Sequence, residues 1–354
     1  EKMLFDQAGF LKLLAKTSMI YPSPLIFDSM IQTIDYLHTE MLSENGYFFS
    51  GQDSDSEGME GLYYAFTKDE FIDALTQFDE GLLDQQEKYF KWFDIKEEGN
   101  FQNMLNTIHL NPEYKNDFYS PEGWTEVRKI RQALLEARKL RIPPVTDRKG
   151  QASSNFQVLT ALLEVIHYCK IDAIRQAATD LLQKTIGNIH ETFLSQSEDG
   201  KTQIKTTTTR PEHIPLFEDA AFFTEFCFKA YEILGEDQYL ENAINSLNFI
   251  KKEFFKDNVF YTRALSFNDS LAYANIHSPL FDQSYKSAQG TIIGLVRKWA
   301  YVHSDIKDFS DLLGSSIENL THLSLQNPLG FGESIRALIY PDEAYRKIEV
   351  PKVS

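Results

Sequence analysis

The sequence predicts an all-α protein built from antiparallel helix pairs. Residues 216–234 and 237–255 form the clearest pair, joined through Gly235, because glycine commonly ends helices in the left-handed conformation. The apolar pattern of residues 26–37 recurs without gaps at 239–250, each time in the second helix of a pair. A chance match of two amphipathic helices is the alternative. Repeated use of one pattern is typical of a ring of helical hairpins.

The other helices are predicted from apolar spacing and capping residues. Ser23 followed by Pro24 predicts a helix start, and Thr67 with Glu70 predicts a capping box for a short helix over 68–77. Apolar residues at helical spacing, together with turn residues between the segments, predict further helices at 3–16, 24–42, 121–140, 153–168, 172–194, 284–303 and 307–323. Residues 101–108 are expected to form a helix or a helical turn.

Strand signals are few and short. Aromatic runs at 47–49 and 62–66 flank an acidic, glycine-containing connection, which predicts a β-hairpin. Residues 203–209 are expected to form a strand or edge ribbon, and 259–265 a short strand. The segment 89–95 is ambiguous, although it alternates enough to be a strand.

Composition restricts the classes of function. Hydrophobic residues make up 42% of the chain, enough for a large core, and the formal net charge is −17. Such a charge argues against nucleic acid or an anionic membrane as partner, because both bind basic surfaces. A neutral ligand fits better. Cys169 and Cys227 lack metal or redox spacing and are interpreted as buried thiols, so we expect no metal and no cofactor.

Several motifs resemble those of one family in the same order along the chain. They are EKMLFDQA from Glu1, SGQDSDSEGMEGLYYAF from Ser50, EEGNFQNMLN from Glu97, LLEARKLRIPPVTDRKGQASSN from Leu134 and FEDAAFF from Phe217. These segments are similar to signatures of the YyaL family, relatives of the spermatogenesis-associated thioredoxin-domain proteins. The resemblance implies an (α/α)6 toroid of the six-hairpin glycosidase or N-acylglucosamine 2-epimerase kind, in one domain over residues 1–354.

The same resemblance implies what surrounds this toroid. In the family a thioredoxin-like domain precedes it, and we expect that domain and one or two hairpins to be missing here. The ring is then expected to be incomplete, or another part of the molecule fills the gap. Two family tryptophans are replaced, at Ser154 and within Tyr63–Phe66, and Ala221 replaces a larger residue. These departures predict an altered pocket. No leader peptide pattern is visible, so a cytoplasmic location is expected.

Candidate site residues are acids and polar groups near helix starts, which would meet at one end of a toroid. The catalytic candidates are Asp53, Asp55, Glu57, Glu218 and Asp219. The candidates for substrate binding are Tyr64, Asp147, Asn155, His213, His277 and Asp282. Acids also favour helix N-termini in ordinary proteins, so for Glu218 and Asp219 helix capping is the alternative.

Two chemical interpretations of these residues are open. Asp53, Asp55, Glu57 and Gly58 imitate the start of a calcium loop, but Tyr64 stands where the bidentate glutamate belongs, which disfavours calcium. Paired carboxylates for glycoside chemistry are the other interpretation. His213 and His277 are the only histidine pair considered for epimerase-like proton transfer, with an ordinary structural role as the alternative.

Two functions follow as hypotheses. The first is a toroid that binds or processes a carbohydrate, and whether it is an enzyme stays open. The second is a non-catalytic helical scaffold that acts with a thioredoxin-like domain.

Overall fold

The computed structural model describes residues 1–196, 202–209, 215–266, 276–301 and 303–339. The helices are α1 (Leu4–Ile20), α2 (Pro24–Tyr36), α3 (Lys68–Phe78), α4 (Gln86–Trp92), α5 (Lys115–Phe118), α6 (Pro121–Arg138), α7 (Ala152–Tyr168), α8 (Asp172–Phe193), α9 (Phe217–Leu234), α10 (Asp237–Glu253), α11 (Ala288–Trp299), α12 (Ser304–Leu312), α13 (Gly314–Gln326) and α14 (Gly332–Ile339).

The strands are short. They are β1 (Lys2–Met3), β2 (Gly51–Gln52), β3 (Asp55–Ser56), β4 (Met59–Glu60), β5 (Thr146–Asp147), β6 (Leu194–Gln196), β7 (Thr202–Ile204), β8 (Phe255–Lys256) and β9 (Val259–Phe260). The chain divides into two compact units. The smaller comprises Glu1–Met3 and Gly51–Asp147, and the larger comprises Leu4–Ser50 and the described residues from Arg148 onward. The expectation of a single domain stays a prediction.

The larger unit is an α/α toroid, which confirms the predicted fold class. Its inner layer runs α1–α7–α9–α11–α14, each helix packed on the next. The outer layer contains α2, α8, α10 and α12, and each of these packs on the inner helix that precedes it in the chain. The helices α2 and α10, which carry the repeated apolar pattern, therefore occupy equivalent outer positions. Over the described residues this unit contains ten helices, fewer than the twelve of a full ring.

Burial explains the two layers. Every residue of α7 from Ala152 to Val165 is buried, and α9 is buried almost continuously from Phe217 to Phe228. A helix that is enclosed on all sides belongs to the centre of a fold. The outer helices α8 and α10 bury only one stripe each, as surface helices do.

The predicted helix boundaries are largely confirmed. The Ser23 side chain caps α2 with Pro24 in the first turn, and both hydrogen bonds of the Thr67–Glu70 capping box are present at α3. Gly235 ends α9 with a φ of 74°, the left-handed conformation that glycine adopts without strain. The predicted helix over 307–323 is instead divided at Leu313 into α12 and α13.

The predicted hairpin exists, but its strands were placed wrongly. The ladder lies within the acidic connection, where β3 pairs antiparallel with β4. Glu57 and Gly58 have φ values of 52° and 80° between the strands, and two positive φ values define the turn that suits a two-residue hairpin. The aromatic run at 62–66 instead forms turns, because the N–H groups of Tyr64 and Ala65 both donate to the Gly61 carbonyl.

One other prediction in the smaller unit is wrong, and one ambiguous segment is resolved. The ambiguous segment 89–95 is not a strand, because residues 89–92 lie in α4, and it contributes buried aromatic side chains to the core of this unit. Residues 101–108 do not form a helix, since Asn103 and Met104 adopt positive φ values of 56° and 59°. The buried Asn106 side chain holds this loop through hydrogen bonds with the backbone of Lys96 and the carbonyl of Phe66.

Candidate functional site

The main cavity of the larger unit has a volume of about 980 Å³ and lies against the inner helices. Residues that line the cavity recur three or four positions apart on each helix and so lie on one helix face. Lys12 and Lys16 on α1 are one example, and Glu225, Lys229 and Glu232 on α9 are another. The cationic side chains that line it are Lys12, Lys16, Lys229, Lys286, Lys298 and Arg336. The anionic ones are Asp6, Glu164, Glu225, Glu232 and Glu333.

A cluster of three cations and two carboxylates occupies the cavity around Glu225, and we call it the inner charge cluster. Glu225 Oε1 accepts hydrogen bonds from Lys12 Nζ at 2.9 Å and from Lys286 Nζ. Arg336 donates to both oxygens of Glu333, at 2.7 and 2.8 Å, and Lys286 Nζ lies 3.9 Å from Glu333 Oε1. Charged hydrogen bonds of this kind are stronger than neutral ones.

The cluster shifts the pKa values of both of its carboxyl groups and of its lysines. Burial alone would raise the pKa of Glu225, but the charges of Lys12 and Lys286 outweigh it and hold that pKa well below its usual range. Burial, followed by the charge of Lys12, lowers the pKa of Lys286 to about 8 despite the neighbouring carboxylates. For Glu333, Lys286 and Arg336 outweigh burial and lower the pKa to about 2. Both carboxyl groups are therefore ionised at neutral pH.

Four buried polar atoms of residues that line this cavity have no hydrogen-bond partner in the structure. They are the donors Gln157 Nε2 and Trp299 Nε1 and the acceptors Glu164 Oε2 and Glu225 Oε2, and Glu164 Oε2 lies 3.1 Å from Lys16 Nζ. All four residues are 8% exposed or less. A buried polar group without a partner costs about 1–3 kcal/mol, so these atoms favour a polar ligand in the cavity.

A second charge cluster lies toward the C-terminal ends of the inner helices. Lys16 Nζ is 3.1 Å from Glu164 Oε2, and Glu232 bridges Lys229, at 2.7 Å, and Lys298. Lysines near helix C-termini also interact favourably with the helix dipole. This cluster gives the other end of the cavity a polar lining.

Aromatic side chains complete the cavity wall. The rings of Phe5 and Tyr285 are 4.9 Å apart, and those of Phe228 and Trp299 are stacked at 4.7 Å. The Tyr285 hydroxyl donates to Glu218 Oε2 at 2.7 Å, and both residues line a smaller adjoining cavity of about 60 Å³. Glu218, a predicted catalytic residue, is thus connected to the main cavity through Tyr285.

The second predicted acid of this motif, Asp219, is buried and is absent from the lining of the main cavity. Its Oδ1 accepts the N–H of Ser153 at 3.0 Å, in the first turn of α7. Because the first N–H groups of a helix have no partner within it, Asp219 supplies a cap to the neighbouring helix. Burial, then the charge of Glu218, raises the pKa of Asp219 to about 7.

Asn155 is fully buried at the start of α7. Its Oδ1 accepts the Phe48 N–H at 2.8 Å, and its Nδ2 donates to the carbonyls of Phe48 and Gln151 at 3.1 and 2.8 Å. The amide therefore holds the segment before β2 against the start of α7. Its predicted role in substrate binding stays a prediction.

Asp282 joins the starts of two inner helices. Its Oδ1 accepts the N–H of Ser287 at 2.7 Å before α11, and its Oδ2 accepts the N–H of Glu333 at 2.9 Å in α14. His277 is exposed, with its ring edge-on to Tyr261 at 5.2 Å. His213 lies outside the described residues.

The remaining candidates belong to the smaller unit. Asp53, Asp55 and Glu57 are exposed, and Asp53 Oδ1 accepts the N–H groups of Ser54 and Asp55 at 2.7 and 3.3 Å. The Tyr64 hydroxyl donates to Gln52 at 2.8 Å, with Lys2 Nζ 4.2 Å from its ring centre. Asp147 is exposed in β5, opposite Gly51. Their predicted catalytic and binding roles stay predictions.

The inner charge cluster was not found from the sequence. Its members come from α1, α9, the loop before α11, and α14, and no local motif joins them. A usable signal was present in the apolar inner helices, because a charged residue on a helix that is otherwise buried all round requires a partner. Glu225, within the run FFTEFCF, is such a residue.

Among the residues that the structure describes, no group of three or more His, Cys, Asp or Glu side chains could hold a metal ion. Among the described helices, none has the length and apolar character that crossing a bilayer requires.

Comparisons with known proteins give likenesses among solved structures alone. A scan against protein-family models finds no match, and a search of curated proteins finds none. A polysaccharide lyase is 13% identical, with a TM-score of 0.41, over 82% of this chain, and the chain spans 58% of the lyase's length.

Two other similar structures have comparable scores. An inactive α-1,6-mannanase of Salegentibacter sp. HEL1_6, in complex with α-1,6-mannotetrose, is 15% identical over 89% of this chain and 70% of its own, with a TM-score of 0.37. The cellobiose 2-epimerase of Spirochaeta thermophila is 12% identical over 75% and 80%, with a TM-score of 0.27. Likenesses this weak give no information about activity or ligand.

Proposed function

We propose that the main cavity of the larger unit binds a carbohydrate. The observation that supports this most directly is the set of unpartnered buried donors and acceptors in the cavity lining, among them Gln157 Nε2 and Glu225 Oε2. A sugar hydroxyl donates one hydrogen bond and accepts others, so hydroxyl groups match a buried donor and a buried acceptor at one cavity. A ligand without such groups would leave one or both atoms unpaired.

The rest of the cavity fits the same class of ligand. Its volume of about 980 Å³ lies at the upper end of typical small-molecule sites. Phe5 and Tyr285, which are partly exposed, supply apolar ring surface for the faces of sugar rings, while charged groups surround the hydroxyls. An aromatic wall with a few buried polar groups is the usual composition of a specific ligand site.

The site supports binding better than acid-assisted cleavage. Glycoside hydrolysis by paired carboxyl groups requires one of them to be protonated when it meets the substrate. Lysine and arginine charges outweigh burial at Glu225 and Glu333 and hold their pKa values below the usual range, to about 2 for Glu333. Both groups are thus hydrogen-bond acceptors at neutral pH and poor general acids.

The test is Gln157→Met, which keeps the side-chain volume and removes the unpartnered donor. We expect sugar binding to weaken about tenfold, since one hydrogen bond of about 1–1.5 kcal/mol is lost. Thermal stability should stay the same or rise, because a buried unpaired amide disappears. Ligand-observed NMR against neutral mono- and disaccharides measures binding, and a thermal melt measures stability.

Gln176→Met provides the matched control, because Gln176 lies on the outer helix α8 and its amide donates to Asp180. Sugar binding in this variant should equal that of the unsubstituted protein. Equal binding by Gln157→Met would remove Gln157 from the site. Absence of binding across the sugar panel would overturn the proposed function.

A second candidate function is the scaffold that acts with a thioredoxin-like domain, an expectation that rests on the YyaL-like motifs. Met19 and Ile20 at the end of α1 lie outside the cavity lining and are 52% and 70% exposed, and this apolar exposure favours a protein contact there. Calorimetry with a thioredoxin-like domain of a YyaL relative, added in trans, tests the idea. Heat of binding that disappears in Ile20→Lys supports it, and no heat at high concentration contradicts it.

A further inference from the structure

The main cavity is elongated along the inner helices. Its lining on α1 extends from Phe5 to Lys16, and its lining on α7 extends from Gln157 to Tyr168. Each stretch corresponds to about 16 Å of helix, at about 1.5 Å per residue. The two stretches reach the same end of the cavity, because Lys16 Nζ lies 3.1 Å from Glu164 Oε2. One hexose ring does not span such a length.

Charged groups line the cavity at two levels. On α9, Glu225 belongs to the inner charge cluster and Glu232 belongs to the second charge cluster. The distance between their positions along the helix axis is about 10 Å. The two clusters are therefore further apart than the hydroxyl groups of a single sugar ring.

Each level also has a buried donor without a partner. Gln157 Nε2 belongs to the first level, because Gln157 precedes Glu164 of the second charge cluster by about 10 Å along α7. Trp299 Nε1 belongs to the second level, since Trp299 follows Lys298, which donates to Glu232. An indole N–H can only donate a hydrogen bond. A ligand that satisfies both donors must reach both levels.

Partly exposed aromatic rings lie at both ends of the cavity. Phe5 and Tyr285 are in contact at one end, with their ring centres 4.9 Å apart. Tyr168 lies at the other end, in the last turn of α7. A ring face at each end suits the stacking of one sugar ring at each level.

The carboxylates of the two clusters are already paired. Each lies within 3.1 Å of a lysine or arginine nitrogen, in the pairs Lys12–Glu225, Lys16–Glu164, Lys229–Glu232 and Arg336–Glu333. Ion pairs that are already formed need no further counterion, so the cavity favours a ligand without net charge.

Resting on the proposed function, we infer that the cavity binds a neutral oligosaccharide of at least two sugar rings that lies along the inner helices. One ring would stack on Phe5 or Tyr285, and its hydroxyls would meet Gln157 Nε2. The next ring would lie beside Tyr168, and its hydroxyls would meet Trp299 Nε1. The length of the ligand, and not its charge, would then determine affinity.

The experiment compares glucose with maltose and cellobiose, galactose with lactose, and mannose with mannobiose. Dissociation constants are measured by calorimetry or ligand-observed NMR. We expect at least one disaccharide to bind about tenfold or more tightly than either of its monosaccharides, as one further hydrogen bond and one further stacked ring give.

Two substitutions test the second level. Trp299→Phe keeps an aromatic ring beside Phe228 and removes the N–H, and Tyr168→Leu removes a ring face from the lining. Each should reduce the advantage of the disaccharide about threefold or more and change monosaccharide binding much less. Tyr301→Leu, at an exposed tyrosine outside the cavity lining, should leave both affinities unchanged. The comparison of sugars in the unsubstituted protein tests the inference even if Trp299→Phe does not fold.

The outcomes separate the inference from the proposed function. Disaccharides that bind no more tightly than their monosaccharides would overturn the inference and leave carbohydrate binding intact. An advantage of the disaccharide that persists in full in both Trp299→Phe and Tyr168→Leu would also overturn it, since the second ring would then bind elsewhere. Failure of every sugar to bind would overturn the proposed function together with the inference.

Discussion

Glu225→Gln is expected to lower the free energy of unfolding by about 3–5 kcal/mol, the usual effect of breaking a buried ion pair. The substitution keeps the side-chain shape and removes the negative charge that Lys12 and Lys286 share. Two ammonium groups are then left together in a largely buried site. Urea unfolding followed by circular dichroism measures the loss.

Glu232→Gln is the matched control, because Glu232 lies on the same helix and also joins two lysines. Its side chain is 24% exposed, against 11% for Glu225, so a loss below about 1 kcal/mol is expected there. The double variant Glu225→Gln with Lys286→Met should recover part of the lost stability, since one uncompensated charge is removed. Equal effects at Glu225 and Glu232 would contradict the buried cluster.

The pH dependence of this effect has a definite sign. The pKa of Glu225 is lower in the folded protein than in the unfolded chain, where it is near 4.5. The carboxylate therefore stabilises the fold above pH 4.5, and this stabilisation is lost as the pH falls through the folded pKa. The difference in free energy of unfolding between the unsubstituted protein and Glu225→Gln should therefore decrease at acidic pH.

Local signals predicted the helices well because their causes are local. Apolar spacing, the Ser23–Pro24 start, the Thr67–Glu70 box and Gly235 act within one or two turns of the chain. The outcomes at 89–95 and 101–108 have a different origin. Aromatic burial in the smaller unit and the long-range hydrogen bonds of Asn106 override local preference there.

The candidate site was predicted less well, because its residues meet only through the fold. The sequence motifs favour the acidic hairpin at Asp53–Glu57 as the site, but Asp53, Asp55 and Glu57 are exposed. The cavity instead brings together Lys12, Glu225 and Lys286, which are separated by as many as 274 positions along the chain. Of the predicted acids, Asp282 accepts the N–H of the cluster residue Glu333, and Glu218 reaches the cavity through its hydrogen bond with Tyr285.

The unsubstituted protein is expected to lose stability as the pH rises from about 4 to about 7, and Asp219→Asn is expected to abolish this loss. Burial, and secondarily the charge of Glu218, raises the pKa of Asp219 from 3.8 to about 7, while hydrogen bonds from Thr206 and Ser153 oppose the shift. The unfolded chain ionises near pH 3.8, whereas the folded protein resists ionisation up to about pH 7. The contribution of Asp219 to the free energy of unfolding is therefore fully present below pH 3.8, the pKa of this group in the unfolded chain. This contribution is lost as the pH rises through the pKa of about 7 in the folded protein.

Raising the pKa of Asp219 from 3.8 to about 7 corresponds to a loss of about 4 kcal/mol in the free energy of unfolding at pH 8. Asparagine carries no charge and still offers an oxygen to the Ser153 N–H, so the cap on α7 is preserved. Asp219→Asn should therefore be more stable than the unsubstituted protein at pH 8 and nearly equal to it at pH 4. Urea unfolding at several pH values between these limits measures the slope.

Asp180→Asn, on the outer helix α8, controls for the loss of one negative charge, because Asp180 is exposed. If Asp219→Asn were less stable than the unsubstituted protein at pH 8, the ionised carboxylate would be a favourable partner of the α7 N-terminus. The helix dipole would then outweigh burial, and Asp219 would be a charged cap. If the predicted gain appears instead, burial dominates, and the carboxyl group holds α7 and α9 together best when it is protonated.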